Sequence, residues 1–63
     1  MVNSIVADGF ARIKNAQSVN NLETTVLYSK FMLEILTVLR NEGYIRGFSL
    51  NTGKIKVYLK YFN

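Results

Sequence analysis

Residues 54–62 read K-I-K-V-Y-L-K-Y-F and alternate with period two. Ile55, Val57, Leu59 and Tyr61 fall on one side; Lys54, Lys56, Tyr58, Lys60 and Phe62 fall on the other. Successive residues of a strand point to opposite faces, so this is one strand with an apolar core side and a basic, aromatic second side. The rest of the chain must cover the apolar side. Because Asn63 follows directly, the strand is expected at a bare sheet edge, as in a piece of a larger assembly.

The chain has 63 residues, enough for one domain. At that size only about 60% of the unfolded surface is buried, so stability is marginal. A partner that binds the folded state is the simplest remedy. There is no Cys and no His, which excludes disulfides, zinc-finger ligand sets and thiol or imidazole catalysis. No metal, no cofactor and no enzymatic activity are expected. Hydrophobic residues make up 49% of the chain, which argues against disorder. Eight Lys/Arg against four Asp/Glu give a net charge of +4 and favour an anionic partner such as nucleic acid. The plainer alternative is a soluble basic domain. No apolar run approaches the roughly 18–20 residues that span a bilayer, and residues 31–39 are interrupted by Glu34. Helical patterning from near Met1 leaves no room for a signal or transit segment, so secretion and membrane insertion are not expected.

Ser4 reads as an N-cap, with a helix following to about Ala16 on an apolar face of Val6, Phe10 and Ile13. Gly9 costs that helix about 1 kcal/mol relative to Ala and implies close packing. Residues 15–21 read as a polar exit loop, and residues 24–28 as a short strand rich in β-branched residues. Ser29 caps a second helix over 30–42, with Phe31, Ile35, Val38 and Leu39 as its main stripe and Met32 and Leu36 broadening it. Gly43 ends it in the left-handed C′ position. Residues 44–50 and 54–62 form a hairpin across Asn51-Thr52-Gly53, a three-residue loop with Gly last. Two registers remain open. One puts Phe48 on the outer face opposite Lys56, the other in the core near Val57. The fold class is α+β: an α-β-α-β-β two-layer sandwich, with two helices on one face of a small three-stranded sheet.

Three motifs occur in order along this frame. Residues 8–17 read D-G-F-A-R-I-K-N-A-Q; Ser29-Lys30 opens the second helix, which closes on E-G-Y-I at 42–45; residues 59–62 read L-K-Y-F. Together these resemble the N-terminal domain of small-subunit ribosomal protein eight, of bacterial or organellar type, with its I-A-D-x-x-x-R-I-x-N helix, S-K, E-G-[FY]-I and L-K-Y. The resemblance spans residues 1–63 and implies the same fold, a non-enzymatic structural role in the small ribosomal subunit, and contact with the central domain of its rRNA and with neighbouring ribosomal proteins. Three small departures stand out: Leu27 near where a Pro usually precedes S-K, Ala16 where Gly is common, and a shorter hairpin loop. The larger departure is that the family's C-terminal domain, with its S-T-S-K-G-like rRNA loop, is absent from the sequence. Three explanations stay open: that half is a separate polypeptide, which would then be a partner, or it has been lost, or this chain is a fragment. Heavy use of Asn, Ile, Lys, Tyr and Phe fits an AT-rich genome and points to a mitochondrial small subunit, with plastid or bacterial cytoplasm as alternatives.

The resemblance puts the end of the first helix, with Arg12, Lys14 and Asn15, on rRNA. Arg forks onto phosphate oxygens, Lys is a point charge and Asn bonds backbone or sugar. Against this, cations at a helix C-terminus are favourable in plain solvent. Ser29 and Lys30 offer a helix N-terminus and a charge to a phosphate, or simply a cap. On the outer strand face, Lys60 is assigned to RNA, and Tyr58 and Phe62 to a protein interface. Asp8, the one Asp of the chain, is expected to orient Arg12 one turn on. The rival reading is a small interaction module whose basic face docks an acidic partner.

Overall fold

The computed structural model describes residues 2–60, with side chains described from Ser4 onward. Its elements are α1 (Val2–Ser18), β1 (Glu23–Leu27), α2 (Lys30–Asn41), β2 (Ile45–Asn51) and β3 (Lys54–Leu59). The expected α-β-α-β-β order holds. One core joins Ile13 and Ala16 of α1 and Met32 and Leu36 of α2 to Val26, Ile45, Ile55, Val57 and Leu59 of the sheet, so both helices lie on the same sheet face.

The strand order is β1-β3-β2, both pairings antiparallel. The last strand is therefore central, and the expected bare edge is not there. The reason is connectivity. β1 and β2 are parallel to each other and joined through α2, a crossover that leaves a slot between them. The tight hairpin returns β3 into that slot, and its backbone is hydrogen-bonded on both sides.

α1 begins at Val2, so Ser4 lies inside the helix rather than capping it. At the other end α1 runs past Ala16 to Ser18, into the segment expected to be loop. Asn20 takes φ 61° there; its N–H donates to the Gln17 carbonyl (3.1 Å) and that of Asn21 to the Ala16 carbonyl (2.8 Å). This is a Schellman ending with Asn at the left-handed position. α2 ends the same way. Gly43 at φ 84° donates to Arg40 (3.0 Å) and Tyr44 to Leu39 (2.8 Å). Its start is as expected, with the Ser29 hydroxyl accepting from the Met32 N–H at 3.0 Å.

The stripe expected on α2 is rotated. Met32 and Leu36 are fully buried, whereas Phe31 and Val38 are 48% and 57% exposed. On α1, Gly9 is buried where the helices meet, and Phe10 is largely exposed. A Cβ on Gly9 would stand 3.0 Å from the Met32 sulfur, so the close packing implied by this glycine is present.

The hairpin adopts the register that places Phe48 opposite Val57 and against the core. A bulge between Ile45 and Gly47 makes this work. Strict alternation from buried Ile45 would send Gly47 inward and Phe48 outward. The extra residue, Arg46, shifts the phase so that Ile45 and Phe48 both face the core. Arg40 covers the Phe48 ring at 5.1 Å. The ladder reaches Asn51 opposite Lys54, leaving Thr52 and Gly53 between paired residues, one fewer than expected.

Candidate nucleic-acid interface

Arg12, Asn15 and Ala16 of α1, with Val19 and Asn21 just beyond it and Thr24 of β1, line an open depression of about 350 Å³. Arg12 is held there by Asp8, whose carboxylate accepts from its Nε at 2.8 Å. That is the i,i+4 orientation expected from the sequence. The pair is about half exposed and contributes little to stability; its effect is to aim the guanidinium.

A helix C-terminus carries partial negative charge, which opposes an anion. Here that charge is largely consumed. The Asn15 carbonyl accepts from the Ser18 hydroxyl at 2.8 Å, and those of Ala16 and Gln17 accept from the Asn21 and Asn20 N–H groups. With these acceptors engaged, a guanidinium and amide side chains are what the depression presents to a ligand.

Lys14 is exposed but does not line the depression. Two residues are about 200° around a helix at about 100° per residue, so it leaves on the opposite flank from Arg12. Ser29 and Lys30 are elsewhere. Tyr28 donates to the Gly53 carbonyl (3.1 Å), which places the start of α2 beside the hairpin tip. The length of β1, about 15 Å at 3.3–3.4 Å per residue, separates that corner from the depression. Lys30 makes no ion pair with Glu34, four residues on in α2. Lys60 follows the end of β3, and its ammonium lies 3.7 Å from where a Gly43 Cβ would stand. That puts it near the negative end of α2, a favourable place for any cation. Tyr58 is half-buried on the outer sheet face. Phe62 lies outside the described residues.

The described candidates thus fall in separate places, and among them only Arg12 and Asn15 share a concave surface. Its other walls, Asn21, Thr24 and Val19, are not evident from sequence, because the polar pattern of residues 15–21 reads as loop and hides their convergence. Arg46 was missed too. It stands beside Tyr58 in a second depression with Gly47, and only the bulge puts it there. Among the described residues no group of His, Cys, Asp or Glu is arranged to hold a metal, and no helix is long and apolar enough to cross a membrane.

Fold and surface define a small α+β domain with a cationic, amide-lined hollow at the end of its first helix. A family model described as Ribosomal protein S8 matches residues 4–63, and the chain belongs to that family. It is 37% identical over 62 residues to the small ribosomal subunit protein uS8 of Lawsonia intracellularis, covering 98% of this chain and 49% of that protein. For uS8 of Neorickettsia sennetsu the values are 37% over 67 residues, 98% and 51%. For uS8c of Stigeoclonium helveticum they are 34% over 77 residues, 98% and 44%. The chain therefore spans about half the length of the curated relatives it matches. The resemblance carried by its motifs holds.

Proposed function

We propose that this chain is a structural component of a small ribosomal subunit, in which residues 1–63 form the N-terminal-type domain of the family and hold rRNA in place without catalysing a reaction. The observation that carries this reading is the convergence of Arg12 and Asn15, aimed by Asp8, in one open depression whose helix-end carbonyls are already engaged. Duplex RNA is recognised by backbone and shape. A guanidinium with amides fits a phosphate and a sugar, and the packed sheet beneath is a rigid mount. Lys14, Ser29, Lys30 and Lys60 act as outlying phosphate contacts around this centre.

Neighbouring ribosomal proteins are the second class of partner, among them a separate chain carrying the relatives' other half. Heavy use of Asn, Ile, Lys, Tyr and Phe supports a mitochondrial particle.

Co-sedimentation with mitochondrial small subunits through a high-salt cushion tests the assignment, and mass spectrometry of the pellet tests for the second chain. Binding to a small-subunit rRNA duplex tests the site. Arg12→Gln is expected to weaken it by roughly tenfold, the cost of one charge-assisted contact of about 1.5 kcal/mol. It should also lower the slope of log affinity against log salt by about 0.7–0.9. An unchanged slope would remove Arg12 from the interface.

A further inference from the structure

The outer face of the sheet carries the second depression, about 210 Å³, lined by Arg46, Gly47 and Tyr58. Gly47 stands directly opposite Tyr58 in the ladder, where a side chain would lie against the ring. Nothing in the fold requires glycine there. A Cβ at 47 meets no atom within 4 Å, and the backbone is outside the left-handed region. What the missing side chain does is uncover Tyr58. The bulge adds the second half of the arrangement, since an extra residue re-aims its side chain, and Arg46 is brought to the same hollow. Around it, the Lys56 ammonium lies 5.9 Å from the Tyr58 centroid, and the Ser49 hydroxyl is 3.4 Å from the Tyr58 hydroxyl. The one acidic neighbour, Glu23, is engaged by Lys56 at 2.7 Å.

We propose that this hollow is a stacking site for one unpaired nucleobase of single-stranded RNA, with the base on the Tyr58 ring and the adjoining phosphate on Arg46. An aromatic plane among cations is the physical recipe for sequence-tolerant single-strand binding. The volume is below the roughly 300–1,000 Å³ of sites for drug-sized ligands, and suits a flat ring rather than a whole cofactor. The cationic rim favours an anionic chain over an apolar protein surface. The inference rests on the RNA reading above, adds a contact distinct from the duplex site at Arg12, and moves Tyr58 from a protein contact to a base contact.

The test uses the 63-residue chain with two probes, a short labelled oligouridylate and a blunt RNA duplex. Gly47→Val fills the hollow with a residue suited to strands, and Tyr58→Leu removes the ring; circular dichroism checks each fold, and either folded variant decides. Both are expected to lose at least about fivefold in affinity for the single strand, the lower bound for one stacked base, with duplex binding unchanged. Wild-type affinity for the single strand in a folded variant would overturn the inference and return Tyr58 to a protein contact. So would a wild-type chain that binds duplex but not single strand, while leaving the Arg12 site standing. A chain that binds neither probe would bring down the RNA reading as a whole.

Discussion

The two faces of β3 share one backbone, the same two neighbouring strands and the same ladder, yet they do different things. On the inner face Ile55, Val57 and Leu59 expose 0% of their surface and form the centre of the core. On the outer face Lys54 is exposed and Lys56 and Tyr58 are half-buried, with Leu27, Asn51, Thr25, Ser49, Glu23 and Gly47 as cross-strand neighbours. Close packing constrains the inner face to a methylene. The outer face is under no such constraint, and at Gly47 it gives up packing altogether. A face that contributes so little to stability is available for recognition. Cations, an aromatic ring and an uncovering glycine are consistent with that use.

The sharpest way to break this comparison is to truncate one residue on each face. Domains are stable by about 0.05–0.15 kcal/mol per residue, or about 3–9 kcal/mol here. Ile55→Ala, in the central strand, is expected to cost about 2–5 kcal/mol, a large share of that total. Lys56→Ala next door should leave the stability nearly unchanged. Urea denaturation measures both, and equal costs would mean that the faces are not distinct. Deleting Arg46 is the next step down. It leaves Ile45 and Phe48 two apart, so a regular ladder in the same register keeps both on the core face. The deletion variant is expected to fold with a loss of about 1 kcal/mol or less. A loss as large as that of Ile55→Ala would show that Arg46 is not simply the extra residue of β2.

Much of this frame was legible because its signals are local. Ser29 before Phe31, Gly43 after Glu42 and the alternation of 54–59 each constrain their own backbone within a few residues, and each appears where expected. What failed depends on the whole chain. The position of β3 between its neighbours follows from the crossover through α2, which no alternation pattern encodes. The α2 stripe was misassigned because Phe31 and Val38 are as apolar as Met32 and Leu36; which pair faces inward is decided by Gly9 offering space to Met32. The bulge was invisible because Ile45 and Phe48, three apart, fit no period of two. For the site, the i,i+4 spacing of Asp8 and Arg12 was enough to foresee their pairing. Asn21 and Thr24 were not foreseen, since Asn in a left-handed helix ending is a weaker sign than Gly and Asn20 was read as loop.

The smallest expected effect probes the outer face alone. The Lys56 ammonium is held above its ordinary range, first by its hydrogen bond to Glu23, then by the charge of that carboxylate and of Tyr58. A pKa raised on folding stabilises fully below the unfolded value and is lost as pH rises through the folded one. The contribution of Lys56 is therefore present at neutral pH and disappears only at strongly alkaline pH. Comparing the urea midpoints of the parent and Glu23→Gln across that range isolates it. The two should differ slightly at neutral pH in low salt, less in high salt, and converge as Lys56 deprotonates. A gap that persists undiminished at high pH would mean that Glu23 packs rather than pairs, and that the outer face contributes more to stability than its exposure implies.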